Sequence, residues 1–154
     1  MGVEIERKFL LAGDGWRALG KPVLFRQGYL SLDPDRTVRV RVEGDQGRLT
    51  IKGRSSGATR GEWEYPIPLA DANDLLARLC QQPLIEKYRR RIDFAGNTWE
   101  VDEFLGANQG LVVAEIELDS EGQAFDKPDW IGAEVTDDKR YYNSSLIKLP
   151  FSAW

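Results

Sequence analysis

Polar and apolar residues alternate along much of this chain with a period of two. In Val3-Glu4-Ile5-Glu6-Arg7-Lys8-Phe9 the even positions are charged, while Val3, Ile5 and Phe9 are apolar. Thr37 to Glu43 repeats the pattern, with Arg39, Arg41 and Glu43 on one face and Val38, Val40 and Val42 on the other. It returns in Arg48-Leu49-Thr50-Ile51-Lys52 and in Glu62-Trp63-Glu64-Tyr65-Pro66-Ile67. Alternation over five to eight residues rich in β-branched and aromatic types predicts strands. Further strands are predicted at about Leu24–Leu32, Lys87–Phe94, Thr98–Phe104 and Leu111–Asp119, giving about eight. Turn chemistry separates them: Asp33-Pro34-Asp35, Gly44-Asp45-Gln46-Gly47, Ser55-Ser56-Gly57 and Ala95-Gly96-Asn97. Two of these separators are short enough to predict hairpins.

Helical spacing is rare. Asp71 to Cys80 places Leu75, Leu76 and Leu79 on one stripe, with Asp71 as N-cap. Shorter helices are predicted at Glu121–Phe125 and Asn143–Leu149. There are no repeats and no linker, so residues 1–154 read as one β-rich domain.

Period two says that the faces of each strand differ, not which face is inside. Charged faces turned to water over an apolar core satisfy the pattern equally well. Nor is acid-x-acid spacing informative alone, because 25 acidic residues in 154 produce several such pairs by chance. Two features favour charges inside. The first is segregation by sign: Glu4/Glu6, Glu62/Glu64 and Glu115/Glu117 are acidic pairs, whereas Arg39/Arg41 and Lys87/Arg89/Arg91 are basic. A solvated face gains more from interspersing the signs, since like neighbours repel. The second is strand number, because eight strands close into a barrel with room for one small ligand. Such an interior needs water, counter-charges or a charged ligand, since buried unpaired charge is costly. Clustered carboxylates suit a hard cation such as Mg²⁺ or Mn²⁺, and clustered Arg and Lys suit a polyanion. Together they describe a metal-bound polyphosphate site.

Composition narrows the chemistry. The formal net charge is −4, which argues against bulk attraction to nucleic acid or anionic membrane. One cysteine, Cys80, excludes an internal disulfide and Cys-based zinc sites. The absence of histidine excludes histidine bases and HExxH zinc sites. Glu4, Glu6, Arg7 and Lys8 make Met1 to Leu11 unlike a signal peptide, and no apolar run reaches membrane-spanning length, so a cytoplasmic protein is expected. Oligomeric state is left open, a homodimer being one option.

The ExExK run in Val3-Glu4-Ile5-Glu6-Arg7-Lys8-Phe9-Leu10 resembles the opening signature of the CYTH superfamily, the triphosphate tunnel metalloenzymes. The resemblance continues in order through Arg26-Gln27-Gly28-Tyr29-Leu30, Val38-Arg39-Val40-Arg41, Thr50-Ile51-Lys52 and Glu62-Trp63-Glu64-Tyr65. Beyond these it takes in Glu86-Lys87-Tyr88-Arg89, Val101-Asp102 and Ala114-Glu115-Ile116-Glu117. The run Trp130 to Thr136, with Asp137 to Asn143, is similar to short bacterial members described as inorganic triphosphatases.

The resemblance implies a mainly β fold: a closed eight-stranded antiparallel barrel, with a few short outer helices and inward-facing charges. It implies that Glu4, Glu6, Asp102, Glu115 and Glu117 hold divalent metal, Mg²⁺ or Mn²⁺. It implies that Lys8, Arg39, Arg41, Lys52, Lys87 and Arg89 grip a small polyanion, with Glu62 and Glu64 as acidic lining. Arg26 and Arg140 are further candidates for substrate contact or for fixing the tunnel end. The implied reaction is hydrolysis of triphosphate to pyrophosphate and phosphate. Without histidine, Lys8 and Tyr29 are the candidates for positioning water or relaying a proton, Lys8 through a pKa lowered by desolvation among cations. Tyr29 also fits barrel packing, and Arg91 fits a surface ion pair as well as a ligand. Trp16, Trp63, Trp99, Trp130 and Trp154 fit outer-face packing better than substrate platforms.

The rivals are a class IV adenylate cyclase or a thiamine or nucleoside triphosphatase on the same tunnel, a non-catalytic polyphosphate-binding barrel, and a membrane β-barrel. Intact acidic pairs argue against the binding protein. Arg7, Arg90 and Glu103 on the nominally apolar faces argue against the membrane barrel.

Overall fold

The computed structural model describes residues 2–154. Nine strands form one antiparallel sheet: β1 (Gly2–Leu11), β2 (Val23–Ser31), β3 (Thr37–Glu43), β4 (Gln46–Lys52), β5 (Thr59–Ile67), β6 (Ile85–Phe94), β7 (Asn97–Phe104), β8 (Val112–Glu117) and β9 (Ile131–Glu134). Their order is β5-β4-β3-β2-β6-β7-β8-β1-β9, and β5 also pairs with β1, so the first eight close on themselves. The expected eight-stranded barrel is present, with β9 as an extra strand.

β1 is the strand that closes the ring. Its residues 2–5 pair with β5, residues 6–9 with β8, and Phe9 and Leu11 with β9. Between β5 and β9 its free edge is covered by loops, where Glu6 N donates to Ala58 O and Val135 N donates to Lys8 O. No strand edge is left bare there, which removes a template for aggregation.

Two helices accompany the barrel, α1 (Leu69–Arg78) and α2 (Asn143–Lys148). α1 starts two residues earlier than the stripe predicts, and Pro68 is its N-cap. Asp71 therefore sits in the first turn, where its negative charge interacts favourably with the positive end of the helix dipole, and makes no capping bond. Residues 121–125 form turn and coil rather than a helix, their path fixed by Phe125 packing on Phe9 and Trp99.

The apolar faces point outward and are covered locally. Val40, Val42, Ala72, Leu76 and Cys80 form one cluster beneath α1. Two glycines let α1 lie close: a Cβ at Gly28 would stand 2.7 Å from Cys80 Cβ, and one at Gly47 2.9 Å from Ala72 Cβ. Phe9, Trp16, Trp99, Ala114, Ile116 and Trp130 form a second cluster beneath the 118–131 segment. In the β6–β7 hairpin, Ala95 and Gly96 both have positive φ, as a two-residue type I′ turn requires. No helix among the described residues is long and apolar enough to cross a membrane.

A third cluster fills one end of the barrel. Tyr29, Ile85, Phe104 and Val113 point inward there and pack against Leu111, Tyr141, Leu146 and Ile147. The C-terminal segment carrying α2 thus plugs that end with apolar side chains.

Candidate functional site

Residues opposite one another in an antiparallel ladder share a face. Glu6 lies opposite Glu117 and Lys8 opposite Glu115, which turns β1 and β8 into an acidic wall. Lys52 lies opposite Glu62 and Thr50 opposite Glu64. Arg39 lies opposite Tyr29 and Arg41 opposite Gln27, while Arg89 lies opposite Asp102. All these side chains therefore face the barrel axis. The cavity they surround has a volume of about 260 Å³ and is lined almost entirely by polar groups.

Every expected site residue except Tyr29, Asp102, Arg26 and Arg140 lines this cavity. Lys8 Nζ lies 3.0 Å from Glu115 Oε1 and 3.9 Å from Glu6. Lys52 Nζ sits between Glu4 at 3.0 Å and Glu62 at 3.5 Å. Arg39 and Arg41 each approach Glu64 at 3.8 Å, and Thr50 Oγ1 donates to Glu64 at 2.9 Å. Phe25 lies beneath the guanidinium groups of Arg41 and Arg89, 5.1 and 4.9 Å from its ring centre. Its ring stabilises two like charges held side by side.

Asp102, expected as a metal ligand, is placed as an internal counter-ion of Lys87 and Arg89. It is 1% exposed, lies behind the cavity wall and is fully engaged: Lys87 Nζ donates to it at 2.7 Å, and Arg89 Nε and Nη2 at 2.7 and 2.8 Å. It orients the two cations instead of facing the ligand. Tyr29 also stands apart from the cavity, because its ring belongs to the apolar plug. Its hydroxyl has one distant partner, Gln27 Nε2 at 3.5 Å. Arg26 points outward and donates to Asn73 Oδ1 on α1 at 2.8 Å. Arg140 is exposed, pairs with Asp138 at 2.7 Å and stacks 4.9 Å over Trp154. None of the five tryptophans lines the cavity.

The cavity also has lining that the alternation did not identify. Glu100 is one such residue, and it pairs at 3.2 Å with Arg91, which the basic series had already placed on this face. Arg60 lies opposite Glu4 in the register. Ser55, Gly57 and Ala58 come from the β4–β5 loop, and Thr136, Tyr142, Asn143 and Ser144 from the C-terminal segment. Asn143 Oδ1 accepts from Lys87 Nζ at 3.1 Å.

The electrostatics differ from the lowered lysine pKa suggested for Lys8. Burial alone would lower the pKa of Lys8, but Glu115 and Glu6 outweigh it and raise it. Lys8 is therefore a held ammonium, unsuited to act as a base. Lys87 is the lowered lysine, at about 8, because burial and the neighbouring Arg89 outweigh Asp102. Burial, Arg39 and Arg89 bring Arg41 down to about 10.

On the acidic wall, burial and then Glu115 and Glu4 push Glu6 well up. Burial and Glu4 raise Glu62 to about 7, while Glu4 itself falls to about 2 because Lys52 and Glu62 outweigh its burial. Burial and nearby carboxylates also raise Glu117.

Among the described residues, no three acidic side chains are gathered into a ready-made metal shell. A complete shell is not required, since Mg²⁺ commonly keeps several waters and takes one or two carboxylates plus phosphate oxygens. The donors on this wall are all carboxylate oxygens, and burial followed by carboxylate neighbours raises Glu6 and Glu117. This donor set fits a hard divalent cation held by Glu4, Glu6, Glu115 and Glu117.

The fold and site define a closed antiparallel barrel that gathers an acidic wall and a cluster of cations around one cavity. The chain belongs to the CYTH domain family, whose pattern matches residues 2–149. It is 58% identical over 151 residues to an inorganic triphosphatase of Acetivibrio thermocellus, covering 98% of this chain and 97% of the relative. It is 37% identical over 152 residues to an inorganic triphosphatase of Nitrosomonas europaea, covering 96% and 99%. A crystal structure of an inorganic triphosphatase superposes with a TM-score of 0.64 at 35% identity, covering 93% of this chain and 96% of that one. A Hippeastrum protein described as a putative adenylyl cyclase with dominant triphosphatase activity shares the fold, with a TM-score of 0.59 at 14% identity over 78% and 80% of the two chains.

Proposed function

We propose that this chain hydrolyses inorganic triphosphate to pyrophosphate and phosphate in the tunnel, with Mg²⁺ or Mn²⁺ bound at the acidic wall. The observation that carries this reading is the sorting of charge around one cavity inside the closed barrel: Lys8, Arg39, Arg41, Lys52, Lys87 and Arg89 beside Glu4, Glu6, Glu115 and Glu117. The activity named for two relatives that match nearly the full length supports it. A cavity of about 260 Å³ also suits a bare triphosphate better than a nucleotide, because drug-sized ligand sites run from roughly 300 to 1,000 Å³.

Water attacks a terminal phosphorus, one P–O–P bond breaks, and pyrophosphate leaves. Such a reaction is governed by positioning and charge neutralisation. Arg39, Arg41 and Arg89 each offer several donors to phosphate oxygens, while Lys8, Lys52 and Lys87 supply point charges. Asp102 holds Lys87 and Arg89 in place through bonds of 2.7 to 2.8 Å. When bound, the divalent cation neutralises phosphoryl charge and lowers the pKa of water. Glu62 and Glu64 keep Lys52, Arg39 and Arg41 aligned on the tunnel wall.

Product analysis tests the proposal. Tripolyphosphate should give one phosphate and one pyrophosphate per turnover, pyrophosphate should not be cleaved, and EDTA should stop the reaction. Undiminished turnover in EDTA refutes the metal role. Faster turnover of ATP or thiamine triphosphate refutes the substrate assignment.

A further inference from the structure

Eight cationic side chains line the tunnel, and seven have a carboxylate within 4.0 Å. Arg60 is the one without such a partner among the described residues. It stands on β5 directly opposite Glu4, at the β1–β5 seam, in the same inward series as Glu62. Its guanidinium is nevertheless fixed. Nε donates to Gly53 O at 2.6 Å and Nη2 to Thr37 Oγ1 at 2.8 Å. Both acceptors are neutral, so they orient the group without cancelling its charge. Among the described residues the Nη1 edge has no hydrogen-bond partner, and no Arg60 nitrogen is both buried and unpaired. That edge is therefore open to solvent, on a side chain that lines the cavity.

We infer that Arg60 is a further substrate-binding residue, donating from its Nη1 edge to a phosphate oxygen of the tunnel-bound triphosphate beside the acidic wall. The inference rests on the triphosphatase reading and adds a contact to it. Holding an uncompensated cation in place with neutral acceptors avoids the ion-pair exchange that the other lining cations undergo when a polyanion enters. It also provides attraction along a seam where the neighbouring Glu4 and Glu62 would otherwise repel the substrate. The competing role is structural: Arg60 ties Gly53 and Thr37 together and so holds the β4–β5 loop against β3.

Arg60→Gln and Arg60→Lys separate the two roles, since Gln keeps a donor without charge and Lys keeps the charge. Tripolyphosphate hydrolysis with Mg²⁺ gives KM and kcat for each. Melting with and without tripolyphosphate in EDTA gives metal-free binding. Loss of a charged hydrogen bond to phosphate predicts a KM at least about tenfold higher in Arg60→Gln. Its kcat should stay within about threefold and its ligand-induced melting shift should shrink, while Arg60→Lys keeps KM within about threefold of the parent. An unchanged KM in Arg60→Gln overturns the inference. So does an equal rise in both variants accompanied by a lower melting point without ligand. If the unmodified protein does not cleave tripolyphosphate, the functional reading fails instead, and the metal-free melting shifts still decide whether Arg60 binds the anion.

Discussion

The corner where β6 meets β7 and the wall formed by β1 and β8 are both buried and charged, yet they are built in opposite ways. In the corner, Asp102 receives three short hydrogen bonds from Lys87 and Arg89, and Asn143 takes a fourth from Lys87. On the wall, Glu6 and Glu117 face each other in the ladder, and burial, reinforced by nearby carboxylates, pushes both pKa values up. The corner is compensated within the protein, whereas the wall carries more negative charge than its lysines neutralise. A tunnel that binds a polyanion and a cation together needs both conditions: preset donors on one side and a deficit of positive charge on the other.

The comparison breaks most sharply at Asp102. Asp102→Asn leaves Lys87 and Arg89 buried without their shared counter-ion. Removing one partner of a buried pair costs about 3–5 kcal/mol. Urea denaturation should register that loss, together with a steep fall in activity. A loss below about 1 kcal/mol means that water reaches the corner and that its compensation is not internal.

The wall should behave in the opposite way. Glu6→Gln removes charge where charge is in excess, so the melting point should hold or rise. Turnover with Mg²⁺ should fall by about 10²–10³, as when a well-placed electrostatic group is lost. Calorimetry can follow metal binding directly. Near-normal turnover in Glu6→Gln excludes a metal role for this wall.

This contrast was only partly legible in the sequence. Period two marked four of the barrel strands, turn chemistry helped to bound the other four, and segregation of sign favoured charges inside, but the direction of each face came from the family resemblance. Asp102 read as a metal ligand by resemblance, and alternation could not correct it because it reports the face, not the depth. Only the short bonds to Lys87 and Arg89 reveal it as a counter-ion. β9 and the Thr136–Ser144 lining were missed because they belong to an aperiodic segment folded back by tertiary contacts. Arg60 was within reach: carrying the Glu62/Glu64 parity back across Gly61 places it inside, but a glycine in a strand reads as an interruption.

A smaller effect separates Lys87 from Lys8. Lys8 has its pKa raised and stays charged through the usable range, whereas Lys87 lies at about 8. As pH rises above 8, folded Lys87 loses its proton before the unfolded chain does, so a phosphate contact weakens while this group's contribution to stability grows. The fall should appear in kcat/KM, which reports the free enzyme. In kcat it should lie at higher pH, because bound polyanion favours the ammonium. Lys87→Arg keeps the charge and should flatten this limb by several-fold at pH 9.5. An identical limb in that variant assigns it elsewhere.

The smallest expected effect concerns the apolar plug beside both regions. The absence of histidine made Tyr29 a candidate relay, yet its ring packs with Ile85, Phe104 and Leu146 and lines no part of the cavity. Among the described residues the one hydrogen bond to its hydroxyl, from Gln27 Nε2, spans 3.5 Å, beyond the range of a strong contact. Tyr29→Phe keeps the packing and gives up only that contact, so stability should change by less than about 1 kcal/mol and kcat by less than about twofold. Tyr29→Ala would be uninformative, because it opens the plug as well. A tenfold drop in kcat for Tyr29→Phe, with the melting point unchanged, would mean that the hydroxyl reaches the reacting phosphate through water. The plugged end would then belong to the catalytic machinery and not to the packing.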